Sequence, residues 1–290
     1  MHRVFLSLGS SRVRLAIGLL LAALLLAQII STFNGSAEVI ATTTTADSFS
    51  PDGTLLTEDQ RILNLAKTDH IRLLQLCLKR YEDRYRDYTA TLLRRERIHG
   101  KFGPEQVIDV RYKDDPFSVV LAWRVGATRG DKVLYVENDP DGENMMHIHP
   151  TGWPGRIFRS VDRSPDDLEV RQSSLRSIRE FGFRRGLESL IEVYQLAKSR
   201  GHLDDPSACT YLGTGELDGR PTFAIQRVLP PGYDYPAKVT IIEIDQEYLV
   251  PVHVYGTNWQ DQDLCDYRQI NIKFNVGLSD SDFTKEANGL

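Results

Sequence analysis

The sequence predicts an α+β fold that is mainly antiparallel β, a curved sheet covered by two or three helices. Three observations predict it. Apolar and polar residues alternate in about ten short segments after position 87, the period expected of one-sided strands. Clusters of Gly, Pro, Asp and Asn separate those segments. Two other stretches, before residue 85 and around 187–197, switch to the helical period.

Thr57, followed by Gln60 three residues on, gives the capping-box pattern that opens a helix. Ile62, Leu63 and Ala66, then Leu73, Leu74, Cys77, Leu78 and Tyr81, recur at helical spacing, and the polar residues 67–70 divide them into two helices. From Tyr88 the period is two, with Tyr88, Ala90 and Leu92 on one side and Thr89 and Thr91 on the other. Ile108, Val110 and Tyr112, then Phe117, Val119, Leu121 and Trp123, repeat the pattern, and strands follow over 132–137 and 144–149. Turn signals at 99–104, 114–116, 129–131 and 139–142 make this a meander. It is interrupted over 151–201. There 152–167 reads as a Pro- and Gly-containing loop, and Leu187, Leu190, Ile191, Tyr194 and Ala197 mark one face of an amphipathic helix. A second meander occupies 209–217, 222–228, 238–245, 249–255 and 264–273, with Asp218-Gly219 as a two-residue hairpin signal. The sheet has one apolar face, which the helices must cover. Periodicity leaves open whether that cover is tight or encloses a cavity.

The N-terminal end predicts export. Arg3, Arg12 and Arg14 precede an apolar run over 15–30, and no acidic residue occurs before Glu38. The run is shorter than the roughly 20 residues a spanning helix prefers, which favours a cleaved signal over a retained anchor. Gly35-Ser36-Ala37 supplies small residues for cleavage before Glu38. The expected organisation is therefore a signal peptide or membrane anchor over 1–37, a flexible Thr- and Ser-rich linker over 38–56 and one domain over 57–290. The expected location is periplasmic or otherwise extracytoplasmic, with membrane attachment only if the first segment is kept.

Without the three arginines of that segment, 32 basic residues face 40 acidic ones, a formal charge of −8 that speaks against a nucleic-acid partner. Three cysteines are too few for a disulfide framework. Cys77 reads as a small buried hydrophobe. Cys209 and Cys265 lie on predicted strands and are the one candidate pair for an oxidising compartment.

Ordered stretches resemble a bacterial domain family of unknown function, number 1571. They are Asp87-Tyr88-Thr89-Ala90, Gly100-Lys101, Pro104-Glu105-Gln106-Val107-Ile108, Pro116-Phe117-Ser118-Val119 and Leu134-Tyr135-Val136, then Asp245, Tyr248-Leu249-Val250-Pro251, Asn275-Val276-Gly277-Leu278 and Asp282-Phe283. The layout is also similar to the wider superfamily of periplasmic lipoprotein carriers and lipoprotein-localisation factors. That resemblance implies an unclosed antiparallel half-barrel lidded by helices, binding acyl chains on its apolar face, or in related members sensing the envelope through protein contacts. It is one of architecture, and no functional motif of the carriers can be matched onto residues of this chain.

The residue types themselves offer four candidates. Tyr88, Leu92, Ile108, Val110, Tyr112, Leu121, Trp123 and Met146 on the alternating face either line a ligand cavity or fill a core. Arg184 and Arg185, in a cluster with Arg171, Arg176 and Arg179, either form a solvated, ion-paired face or contact an anionic head group or acidic partner. His147 and His149 share one strand face at a spacing that can chelate a metal, but with no third ligand nearby they are weak candidates and no metal site is expected. Gly213-Thr214-Gly215 with Gly219 suits a hairpin better than a dinucleotide loop. The motifs of nucleophile elbows, phosphate loops and zinc proteases do not occur, so no catalytic residue and no cofactor is expected. The leading expectation is an exported, non-enzymatic protein that binds a lipid or acylated ligand. Its rival is a protein-interaction or envelope-sensing module with a filled core, and a hydrolytic enzyme has the least support.

Overall fold

The computed structural model describes residues 55–138, 144–155 and 157–290, the side chains of 154 and 155 excepted. The expected signal or anchor over 1–37, most of the 38–56 linker and the 139–142 turn lie outside the described residues. The chain divides into two compact units, Met1–Ile62 and Leu63–Leu290, a division that falls inside the first helix.

Helix α1 (Glu58–Thr68), which begins in the first unit, opens on the expected capping box. The Thr57 N–H donates to Gln60 Oε1 at 2.9 Å and the Gln60 N–H to Thr57 Oγ1 at 3.3 Å.

In the second unit, Asp69 caps helix α2 (His70–Arg84) by accepting from the Arg72 N–H at 3.0 Å, which is why the polar break divides the helical stretch. The strands follow as β1 (Asp87–Ile98), β2 (Lys101–Phe102), β3 (Gln106–Lys113), β4 (Ser118–Val125), β5 (Gly130–Val136), β6 (Met146–Pro150) and β7 (Val161–Arg163). After helix α3 (Phe183–Ser199) come β8 (Cys209–Leu217), β9 (Arg220–Val228), β10 (Val239–Asp245), β11 (Pro251–Thr257) and β12 (Asp263–Phe274). The sheet order is β7-β6-β5-β4-β3-β1-β12-β11-β10-β9-β8, with β2 a short hairpin on β1. Every pairing is antiparallel, and the sheet stays open, with β7 and β8 as its edges. The two predicted meanders are thus joined by their first and last strands. The hairpin signal is realised at β8–β9, where Asp218 (φ +56°) and Gly219 (φ +74°) both take the left-handed conformation that a tight primed turn requires. Two strands exceed the expectation: β2 lies within a segment read as turn, and β7 lies within the 152–167 loop. Each is too short to carry a period. Among the described residues, no helix is long and apolar enough to cross a membrane.

Registry separates two faces. Tyr88 opposes Phe274 on one side and Tyr112 on the other, Tyr112 opposes Val119, and the row continues through Tyr135 and Met146. This is the helix-covered face. Phe183 at the start of α3 seats on it, with ring centroids 4.8 Å from Tyr88 and 5.6 Å from Phe274. Gly182 is required at that junction. Its φ is +102°, and a Cβ there would lie 2.4 Å from Tyr112 Cε2. From α3, Leu187, Ile191, Tyr194 and Ala197 are also buried, as the 3.6-residue spacing predicts.

The opposite face is not left bare. Phe283 packs with Val120 and Leu134, and Leu278 and Leu290 join them. The Lys132 Nζ donates to the Asn288 carbonyl at 2.7 Å, and Arg111 to the Asn288 side chain. The C-terminal segment is therefore a strap across the outer face of β4 and β5.

Candidate functional site

The family-like residues turn out to hold the sheet together. Asp87 Oδ1 accepts from the N–H groups of Val276 and Gly277 at 2.7 and 3.2 Å, while Asn275 bridges Arg84 and Arg86. Asp245, almost wholly buried, accepts from Arg220 Nε at 2.5 Å and from the N–H groups of Glu247 and Tyr248. The Arg220 guanidinium lies 3.7 Å from the Tyr248 ring centroid. Buried carboxylates satisfied this fully fix turns and leave little capacity for chemistry.

Of the eight residues expected to line a cavity, seven are buried, and Trp123 is half-buried. Tyr88 stacks on Tyr112 at 4.8 Å, and Tyr112 meets Phe117 at 5.5 Å. Trp123 Nε1 donates to Gln106 Oε1 at 3.1 Å, which also accepts from Arg94. Around Tyr88 the space between sheet and α3 is filled by rings. Burial pushes the Tyr88 and Tyr81 hydroxyls far above the usual phenol range, and neither finds a hydrogen-bond partner among the described residues.

Two concavities are open grooves. One, of about 480 Å³, lies on the outer face between Thr89, Asp109, Arg111 and Lys273. The other, of about 580 Å³, runs beside the N-terminal half of α3. The second groove contains Arg184 and Arg185, the two candidates for an anionic contact. Arg184 meets Glu82 at 3.1 Å and Glu188 at 3.2 Å, and Arg185 meets Glu137 at 2.8 Å while lying 3.8 Å over the Phe117 ring. Both charges are met by carboxylates of the same chain, so they brace α3.

His147 and His149 are likewise each taken by a carboxylate, Asp162 and Asp131, with Nδ1 to oxygen distances of 2.6 Å. The His147 contact holds the Asp162 carboxyl below its usual range. Among the described residues, no group of three or more His, Cys, Asp or Glu side chains is placed to hold a metal.

The candidate pairing of Cys209 with Cys265 is corrected too: both are free thiols. They lie on one cross-strand row, Cys209–Arg227–Thr240–Gly256–Cys265–Glu96. Four inter-strand steps of about 4.8 Å separate them by about 19 Å, far beyond disulfide reach.

That row holds what the sequence reading passed over. Arg227 is 1% exposed, faces the helices and lies under the Tyr194 ring at 4.6 Å. Its Nη2 donates to Thr240 Oγ1 at 3.1 Å, whereas Nε and Nη1 have no hydrogen-bond partner among the described residues. At the other end of the row the buried Glu96 accepts from Tyr267 (2.6 Å) and Ser174 (3.2 Å). A signal was present in the sequence: Phe223, Ile225, Arg227 and Leu229 are in phase, so an arginine occupies a position where the alternation calls for an apolar residue.

Several solved structures are similar to the chain at low identity. A DUF1329 family protein from Desulfovibrio piger is 14% identical, covers 76% of this chain and 99% of its own, and has a TM-score of 0.36. A chain of the MucA/MucB complex from Pseudomonas aeruginosa is 14% identical over 73% of this chain and 60% of that one (TM-score 0.41). The lipoprotein LppX of Mycobacterium tuberculosis is 13% identical over 72% and 98% (TM-score 0.36). Likeness at this level says nothing about ligands. No curated protein matches the sequence. The model of one family matches residues 85–288, and by that match the chain belongs to the family described as protein of unknown function DUF1571.

Proposed function

We propose that the chain is an exported, non-enzymatic protein of the cell envelope that takes up the apolar part of a lipid or of an acylated protein between its sheet and α3. In this reading, residues 1–37 direct export, 38–56 form a tether and 57–290 form the binding domain. One observation carries it. Of the eleven exposed large apolar side chains among the described residues, five (Trp153, Ile157, Phe158, Leu168 and Leu175) fall in the segment that leads into the lid helix. Exposed apolar groups concentrated beside the covering helix suit contact with an apolar ligand or a membrane surface. Mass spectrometry of organic extracts from the natively purified full chain tests the reading. A stoichiometric lipid, together with displacement of a fluorescent fatty acid, is the expected result. Extracts free of lipid, with no fatty-acid binding, would sink it.

The rival reading, a protein-interaction or envelope-sensing module, draws support from the ring-filled space around Tyr88, Tyr112 and Phe183. It expects a co-purifying envelope protein and no lipid.

A further inference from the structure

The most unusual group in the molecule is the guanidinium of Arg227. Arginine stays charged at any ordinary pH, and a buried charge without a counter-ion is costly. Among the described residues no carboxylate lies within ion-pair distance of it. The groups around it do not supply a negative charge. Burial raises the Tyr194 hydroxyl and the Cys209 thiol above their usual ranges, and pushes Cys265, further along the row, up to about 12. Burial also holds His70, whose Nδ1 lies 3.3 Å from the Tyr194 hydroxyl, below the usual imidazole range. These side chains are all neutral near pH 7. Of the guanidinium's five N–H donors, the one on Nε and the two on Nη1 find no acceptor among the described residues. The adjoining row on the same face is aliphatic, with Ile225, Ile242 and Val254 side by side.

We infer that Arg227 is the recognition site for the oxyanion head of an amphiphile, a carboxylate or phosphate held by the guanidinium fork while its chain lies on the neighbouring aliphatic row. The inference rests on the lipid-binding reading above and makes it specific: the ligand is anionic. A two-oxygen anion accepts two parallel N–H bonds from such a fork, and the Thr240 hydroxyl lies beside it. The head would enter beneath the C-terminal half of α3, where Tyr194 now covers the site.

The test is calorimetric titration of the delipidated full chain with oleic acid, with methyl oleate and with inorganic phosphate, repeated on Arg227→Met and Arg227→Lys. The expected result is at least tenfold tighter binding of the acid than of the ester. That preference should be lost in Arg227→Met and only partly kept in Arg227→Lys. Equal binding of acid and ester would overturn the inference and leave the lipid-binding reading standing. Failure of both to bind would remove both. Binding of phosphate as tight as that of the acid, lost in Arg227→Met, would keep the arginine's role and remove the amphiphile. Should Arg227→Met fail to fold, the acid-to-ester ratio of the unaltered chain decides alone.

Discussion

Two rows of one sheet face are built on opposite rules. The row through Phe274, Tyr88, Tyr112 and Tyr135 is aromatic, closely packed under Phe183 and without a charge. The row through Cys209, Arg227, Thr240 and Cys265 lies eight residues further along β1, about 26 Å at 3.3 Å per residue, and buries an unpaired cation. The first row anchors α3 to the sheet through packed rings. The second carries a cost that folding alone does not explain, and such local conflicts are where function is expected.

Substitutions should separate the rows. Phe183→Ala removes the ring that joins α3 to the aromatic row and should cost about 3–5 kcal/mol in denaturant unfolding. A loss under about 1 kcal/mol would mean that the row is not the anchor. Gly182→Ala should cost about 2–4 kcal/mol, because its Cβ meets the Tyr112 ring and its φ suits glycine alone. Hydrogen exchange in that variant should rise in α3 before it rises in β9–β11. Arg185→Ala loses a half-exposed ion pair and a contact over the Phe117 ring, and should cost about 1 kcal/mol.

A pH series probes the second row. Burial keeps the folded pKa of His70 below its unfolded value of 6.5. As pH falls through about 6.5 the unfolded chain takes up the proton first, so this contribution to stability is complete above that pH and declines below it. The melting temperature should fall between pH 7.5 and 5.5, and His70→Gln should flatten part of that fall. Identical slopes would show that His70 is not buried in its neutral form.

Much of this was legible in the sequence. The Thr57 capping box, the break at Asp69, the Asp218-Gly219 turn and the period-two strands are local signals, and each is present where its chemistry required. What could not be read depends on contacts between distant residues. Phe283 reads as one more C-terminal apolar residue until folding sets it against Val120 and Leu134 on the outer face. Arg184 and Arg185 read as a basic cluster until Glu82 and Glu137 come up beside them. Cys209 and Cys265 share a row, but strand order places three strands between them. The Arg227 position broke the alternation visibly, yet only the fold shows that no carboxylate among the described residues answers it.

The central claim is that Arg227 is kept for a ligand and not for the fold. Thermal unfolding of the delipidated full chain and its Arg227→Met variant, with and without oleate, tests it most directly. The account predicts that the variant melts within about 3 °C of the parent or above it, since removing a buried uncompensated charge is neutral or stabilising, and that it gains less from oleate. A variant that melts more than about 8 °C below the parent, with the same gain from oleate, would make Arg227 structural and contradict the account.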